Sequence, residues 1–264
     1  PKIPPKEGLP ADITSQDLEE QKLPGIPRKN PFRFLFVEED KKFSLYDANY
    51  FIAGERDAKV QFSFKYKLDT KGSFYIAYTQ LMFWNIYEGS KPFADISFQP
   101  QFFHRFRGLN LSWLKSADLG YWHNSNGRGG RESRSVERVF LRFNMAKRWS
   151  TFNFITQFRA YYPFFEEHTN RDIVRYMGYW DAAIFLTEGI DLGKRAIGLE
   201  FRVFAGNKGV NFEEGGYLVG LNYSLRNAYF SPNLYLQYYW GRLETLMNYQ
   251  YQTDSLRAGI LMYF

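Results

Sequence analysis

The feature that most constrains this chain is an alternation of side-chain character sustained for about ten residues at a time. Phe152, Phe154, Thr156, Phe158 and Ala160 alternate with Asn153, Ile155, Gln157 and Arg159. Ile197, Leu199, Phe201 and Val203 alternate with Gly198, Glu200 and Arg202. Leu234, Leu236, Tyr238 and Trp240 alternate with Asn233, Tyr235, Gln237 and Tyr239, and Leu256, Ala258, Ile260, Met262 and Phe264 with Arg257, Gly259, Leu261 and Tyr263. Period two is the repeat of a β-strand, whose successive side chains point to opposite faces. Strands of soluble proteins average about five or six residues. A tilted strand that crosses a bilayer needs about 9–11, so the length of the pattern points to membrane strands.

Twelve strands are expected, at 43–53, 58–67, 74–85, 96–107, 111–125, 135–146, 150–162, 172–186, 191–205, 214–224, 231–242 and 253–264. From the third onward, long connections near 86–95, 126–134, 163–171, 206–213 and 243–252 alternate with short ones near 108–110, 147–149, 187–190 and 225–230. An outer-membrane barrel has this rhythm: an even strand number, short periplasmic turns and long outer loops. The last strand reaches Phe264, and pairing it with the first leaves no sheet edge. The expected fold class is all-β, a twelve-stranded antiparallel transmembrane β-barrel over 43–264, in the bacterial outer membrane. The alternative is a soluble sandwich or lipocalin-like barrel, in which the outward row would be polar. Aromatic residues make up 20% of the chain and the mean hydropathy is −0.45. Both suit a barrel whose two rows average to polar and whose aromatic girdles mark the two interfaces.

Residues 1–42 read differently. Seven of the eleven prolines lie in the first 31 residues, around the acidic stretch Ser15-Gln16-Asp17-Leu18-Glu19-Glu20. An extended periplasmic segment is expected there, with one short helix started by Thr14 or Ser15. A disordered tail is the other reading for the first ten residues. The chain has no cysteine, which excludes disulfides, thiolate metal sites and thiol nucleophiles. The net charge is +6, but the 28 acidic residues are interspersed with the 34 basic ones. No nucleic-acid partner is expected; paired charges lining a lumen account for the same counts.

One stretch carries chemistry. His123 and Ser125 are two apart, so on a strand they share a face. An imidazole beside a hydroxyl is the pair that activates a serine nucleophile. Glu137 follows across the Gly/Arg/Ser-rich run 126–134, on the neighbouring strand if that run is a hairpin loop. Parity places all three together. On the strand ending at Ser125 the row Ala117, Leu119, Tyr121, His123, Ser125 is the more apolar, and on the next strand so is Glu137, Val139, Leu141, Phe143, Met145. Those rows face lipid. Polar groups there are costly and usually functional, and a nucleophile facing the bilayer has lipid as its natural substrate. A rim carboxylate paired with Arg134 or Arg138 is the other reading of Glu137. Arg128, Arg131, Arg134 and Arg138 cluster at the loop mouth, where they hold lipid phosphates, contact lipopolysaccharide or are solvated. His104 reads as a lipid-row residue and His168 as loop.

This stretch resembles the outer-membrane phospholipase A family. The matching run is His123-Asn124-Ser125-Asn126-Gly127-Arg128 and then Ser133-Arg134-Ser135, without gaps. Weaker matches are Asn30-Pro31-Phe32, Asp47-Ala48-Asn49-Tyr50, Tyr78-Thr79-Gln80, Ser90-Lys91-Pro92-Phe93, Tyr176-Met177-Gly178-Tyr179 and Phe264. The resemblance implies calcium-dependent hydrolysis of glycerophospholipid acyl esters (phospholipase A1 and A2 and lysophospholipase), activated by reversible homodimerisation. It implies Ser125 as nucleophile, His123 as base and the Gly127 amide as part of the oxyanion hole. Arg128, through its carbonyl, and Ser133 match calcium ligands. Ser90 matches the residue that a partner subunit adds to that calcium, and Gln80 a polar residue at the dimer interface. The departure is at the third triad position, where the family has Asn and this chain has Glu137. Parity puts Gln80 in the outward row Phe74, Ile76, Tyr78, Gln80, Met82, Trp84, as an unpaired amide against hydrocarbon, or in the lumen if the row is reversed. A passive pore or adhesin remains the alternative function. Against it, Asn153, Gln157, Arg159, Glu200, Arg202, Gln237 and Arg257 are placed to fill the lumen with a hydrogen-bonded network.

Overall fold

A computed structural model of the chain describes residues 42–69, 73–109, 111–149, 152–191, 195–210, 213–225 and 233–262. The expected N-terminal segment up to 41, including Asn30-Pro31-Phe32, and the terminal Phe264 lie outside the described residues. The strands are β1 (Phe43–Leu45), β2 (Asn49–Gly54), β3 (Ala58–Lys67), β4 (Phe74–Trp84), β5 (Phe93–Phe106), β6 (Leu114–Ser125), β7 (Ser135–Trp149), β8 (Phe152–Glu166), β9 (Trp180–Asp191), β10 (Arg195–Phe204), β11 (Gly216–Leu225), β12 (Asn233–Gly241) and β13 (Thr253–Met262). Each strand from β2 onward pairs antiparallel with the next, and β13 pairs back onto β2 with Leu261 opposite Tyr50. The result is a closed twelve-stranded barrel. Closure satisfies the backbone of every strand by its two neighbours, which hydrocarbon demands because it offers no hydrogen bonds.

The walls are inverted relative to a soluble protein. Phe62, Ile76, Phe102, Leu119, Val139, Phe201, Leu221, Leu234 and Leu256 are exposed on the outside. Lys59, Arg105, Asp118, Arg142, Asn144, Glu200, Gln237 and Arg257 are buried inside. This pattern removes the soluble alternative, since a water-facing exterior would carry the polar row. Exposed aromatics gather at both ends: Phe43, Tyr66, Phe106, Trp113 and Trp149 at the short-turn end, and Tyr87, Phe93, Tyr162, Phe164, Phe165 and Tyr251 at the long-loop end. They sit where interfacial girdles belong.

The first expected strand is split, and the lumen explains why. Between β1, which pairs with β3, and β2, the chain turns Tyr46 and Asp47 inward. The Tyr46 hydroxyl donates to Gln101 Oε1 on β5 at 2.5 Å and accepts from Arg142 on β7. The Asp47 carboxylate accepts from Arg202 Nη2 on β10 at 3.1 Å. These bonds span the lumen between walls that are not neighbours. Elsewhere Lys59 donates to Gln237 (2.9 Å) and Glu244 (3.0 Å), and Arg257 to Asp57 and Glu244. Burial alone would raise the Glu244 carboxyl, but Lys59 and Arg257 beside it hold it below the ordinary carboxylate range.

A second difference lies in the outer loops. The strand expected over 172–186 begins at Trp180, and Ile173–Met177 form a short helix, α1. Its Ile173 and Met177, one turn apart, are buried with Leu246 and Tyr249 of the β12–β13 loop against Trp122 and Tyr161. Apolar side chains that face lipid in a strand are used here to roof the lumen. Gly178 ends the helix at φ 62°, where a Cβ would stand 2.1 Å from the Ala205 carbonyl oxygen.

Asp118 is the hub of the lower lumen. It accepts from Arg105 (2.7 and 3.0 Å), Arg142 (2.9 and 2.6 Å) and Asn144 (3.1 Å), and is fully buried. Removing one partner of a buried ionic group costs about 3–5 kcal/mol. Asp118→Asn is expected to destabilise the barrel by that amount in urea titrations in lipid vesicles followed by tryptophan fluorescence. A loss under about 1 kcal/mol would show that the cluster contributes no more than surface pairs do.

Candidate active site

β6 and β7 form the hairpin that carries the site. Tyr121 is in register with Val139, Trp122 with Arg138, His123 with Glu137 and Ser125 with Ser135. The pleat sends Asp118, Trp122 and Arg138 inward, where they are buried, and Leu119 and Val139 outward, where they are exposed. The outward row therefore brings Tyr121, His123, Ser125 and Glu137 together near the long-loop end. His123 Nδ1 lies 3.7 Å from Glu137 Oε1, with the two side chains 27% and 30% exposed. That is charge-pair range, just outside a hydrogen bond.

The inward side locks this register. Arg138 Cζ lies 3.4 Å from the centre of the Trp122 ring, and Arg159 Cζ 3.9 Å from it. Each such contact is worth about 0.5–2 kcal/mol. Arg138 accordingly does not join the expected arginine cluster at the loop mouth, nor is it a partner for Glu137. Arg134 is engaged too: its Nη1 donates to the Arg131 and Ser133 carbonyls. The reading of Glu137 as a rim carboxylate paired with either arginine is thereby corrected.

The loop 126–134 is built around one buried amide. Asn126 Nδ2 donates to the Glu132 carbonyl (2.8 Å), and Asn126 Oδ1 accepts from the backbone N–H groups of Arg128 (3.3 Å) and Arg134 (3.0 Å). Gly127 has φ 65°, and a Cβ there would stand 2.8 Å from the Phe98 ring, whose residue pairs with Ser125 across β5 and β6. Both facts favour glycine. From the far side, Asn170 holds the start of β7 by accepting from Ser135 N–H (3.2 Å) and donating to the Ser135 carbonyl (3.0 Å). Thr169 donates to the Ser133 carbonyl.

Among the described residues, no group of three or more His, Asp and Glu is placed to hold a metal ion. The expected ligands Arg128 and Ser133 lie in the loop that Asn126 gathers. Arg128 turns its guanidinium away to Glu132 (2.7 Å) and the Ala94 carbonyl (2.8 Å). Carbonyl and hydroxyl oxygens are donors of the kind calcium takes. Ser90 is exposed in the β4–β5 loop at the same end of the barrel. Gln80 faces outward, the first of the two orientations its row allowed, between the buried Ala77, Thr79 and Phe83 of the inward row. Its amide is not unpaired as expected: Tyr78 Oη donates to Oε1 at 3.0 Å, and Nε2 reaches Met82 Sδ at 3.3 Å. His104 lies in the outward row against Phe74 and Phe106, and His168 in the β8–β9 loop against Glu167.

The phospholipase A1 family matches this chain over residues 31–262. The chain belongs to that family. Among curated relatives, phospholipase A1 of Salmonella typhimurium is 30% identical over 194 residues, which are 70% of this chain; the chain spans 61% of that relative's length. Phospholipase A1 of Klebsiella pneumoniae is 25% identical over 289 residues, covering 96% of this chain and 94% of the relative. Among solved structures, the Salmonella typhi outer membrane phospholipase, a dimer with bound calcium, superposes with a TM-score of 0.71 at 24% identity, over 90% of this chain and 98% of that one. At that identity the likeness is one of fold, and it agrees with the twelve-stranded closure.

Sequence reasoning did not find everything this phospholipase A1 family member uses at the site. Asn126 sits in an Asn-Gly pair, a turn signal, which gave no sign that its side chain would close the loop on itself. Asn170 and the Trp122–Arg138–Arg159 stack join segments far apart in sequence and left no local pattern. The Asn126 network generates a prediction. Asn126→Ala removes the partner of two backbone N–H groups and one carbonyl, so hydrogen exchange at the Arg128 and Arg134 amides should rise by about ten- to a hundredfold. Exchange unchanged from wild type would show that the loop is held by other contacts.

Proposed function

We propose that the protein is a phospholipase A of the bacterial outer membrane, which hydrolyses acyl ester bonds of glycerophospholipids and of their lyso forms. The observation that carries this reading is the shared outward face of His123, Ser125 and Glu137 on a wall that otherwise presents hydrocarbon-facing residues. Such a face meets acyl esters where they reside, at the headgroup boundary near the loop end of the barrel. Family membership supports the same activity. The bonds that cross the lumen weigh against a passive pore.

Ser125 Oγ attacks the ester carbonyl while His123 takes its proton. His123 Nδ1 faces Glu137, which leaves Nε2 for the serine. The carboxylate keeps the imidazole in that tautomer and stabilises the imidazolium that forms. Collapse of the tetrahedral intermediate returns the proton from His123 to the departing alcohol oxygen, leaving an acyl-serine and a lysolipid. Water, deprotonated by the same imidazole, then releases the fatty acid. The Gly127 N–H, next to the nucleophile in a turn that needs φ 65°, is the oxyanion donor in this reading.

Calcium would be held by the Arg128 carbonyl, the Ser133 hydroxyl and Ser90 of a second copy, with water completing about six to eight ligands; when bound it adds positive charge beside the developing oxyanion. Ser125→Ala or His123→Ala in a folded barrel should lower fatty-acid release from mixed micelles roughly 10⁴- to 10⁶-fold, and a calcium chelator should abolish release by wild type. Hydrolysis that survives in Ser125→Ala overturns the serine reading; hydrolysis undiminished in excess chelator removes calcium alone.

The second copy is a dimer partner. On the outer wall, among the described residues, Gln80 bonds to Tyr78 and to the sulfur of Met82, a weak acceptor. An isologous contact brings the same residue from both subunits together, so two Gln80 amides can exchange that sulfur for each other. Polar contacts within membranes are worth about 0.6–2 kcal/mol, which makes the association weak and reversible. Gln80→Ala should shift the dimerisation midpoint about three- to thirtyfold in crosslinking titrations. An unchanged dimer fraction would place the interface elsewhere.

A further inference from the structure

A carboxylate at the third triad position raises a physical difficulty. Glu137 sits in the lipid-facing row, where an ionised carboxylate with one partner is strongly disfavoured. His123 Nδ1, at 3.7 Å, is not yet within hydrogen-bond range. The groups around Glu137 are few. On β8, the residue in register with it is Phe165, and the nearest charge on that strand, Glu166, pairs with Val136. On β7, its outward neighbours are Ser135 and Val139, while Arg138 is buried on the lumen side. Arg134, just beyond the strand, is spent on backbone carbonyls. On β6, however, Tyr121 precedes His123 by two residues in the same outward row, diagonal to Glu137 across the hairpin. Diagonal pairs of this kind lie within reach of long aromatic side chains. That diagonal brings the Tyr121 hydroxyl within electrostatic reach of the Glu137 carboxylate, and its ring packs against Phe164 of β8 with centroids 6.2 Å apart.

We infer that Tyr121 is a positioning residue of the catalytic face, donating to one side of the Glu137 carboxylate so that the other side is aimed at His123. The inference rests on the proposed Ser125–His123–Glu137 chemistry and deepens it. A carboxylate has two oxygens and about four acceptor sites, enough for a phenol and an imidazole together. Tyr121 thus solvates the charge that water would solvate at an exposed site. Its ring, fixed by Phe164, also limits how far the Glu137 side chain can swing away from the histidine. This is what lets a carboxylate stand where the family has an amide.

Tyr121→Phe removes the hydroxyl and keeps the ring. In mixed micelles with calcium, it should lower kcat about ten- to a hundredfold, the scale of a hydrogen bond to a charged group, with KM unchanged. Without the phenol, the Glu137 carboxylate loses a donor to its charged form and is protonated more easily. That moves the acid limb of the pH–rate profile to higher pH. In a Glu137→Ala background, Tyr121→Phe should have no further effect on either quantity. Ser125→Ala, run alongside, reports on the underlying reading: if it stays active, the triad fails and the inference fails with it. If Ser125→Ala is dead but Tyr121→Phe matches wild type, or its loss persists undiminished without Glu137, the role of Tyr121 is overturned while the triad stands. A kcat loss with an unmoved acid limb likewise reduces Tyr121 to a packing residue. Heat-modifiable gel mobility confirms that each variant is a folded barrel.

Discussion

The contact of Arg138 with Trp122 is the interaction on which the face carrying His123, Ser125 and Glu137 depends. It is made inside the barrel, yet it fixes what happens outside. Trp122 and Arg138 are opposite one another, and the next residues along each strand, His123 and Glu137, are opposite on the other face. A slip of one residue in this pairing would send every side chain of one strand to the wrong face. The indole held by Arg138 at 3.4 Å and Arg159 at 3.9 Å, together with Tyr161 and Met177 packed around it, makes that slip expensive. The outward groups are exposed to a fluid bilayer and contribute little rigidity of their own. Their geometry comes from the packed, charged interior.

The same division runs through the molecule. The lumen carries Asp118 with its two arginines, Asp47 with Arg202, and Glu244 between Lys59 and Arg257. Buried ion pairs often contribute little net stability when compared with apolar packing. Here apolar packing is not equivalent, because the exterior must be the apolar side. A barrel that was apolar on both rows would lose the difference between inside and outside that sets its register. The ion pairs are therefore better understood as specifying which face is which.

Much of the fold was legible because the alternation is long and each row keeps its character. Leu234, Leu236 and Tyr238 point out and Asn233, Tyr235 and Gln237 point in along β12, as their order alone implies. Parity was also enough to gather His123, Ser125 and Glu137 onto one wall. The pattern failed where tertiary demands override period two. Tyr46 and Asp47 continue a strand-like run, but their hydrogen bonds to β5, β7 and β10 draw them off the wall and break the first strand. Ile173 and Met177 read as strand residues, and the need to cover the lumen mouth turns that stretch into α1. The pairing of Gln80 with Tyr78 and Met82 was also missed. All three lie in one outward row, and side chains two apart on a strand can touch, so this was available from spacing alone. The role of Asn126 was not, because it depends on how a nine-residue loop folds back.

The placement of Ser125 on the outer wall changes the thermodynamics of meeting a lipid. A water-soluble lipase must draw acyl chains from the membrane into its own cleft, against a cost of about 0.8 kcal/mol for each methylene that leaves hydrocarbon for water. In the reading proposed above, the nucleophile Ser125 stands on the outward face in register with Phe98 of β5, at the leaflet itself, so the chains never leave their solvent. Encounter then becomes lateral diffusion in two dimensions. The quantity that governs it is the mole fraction of lipid at the wall, not a concentration in solution.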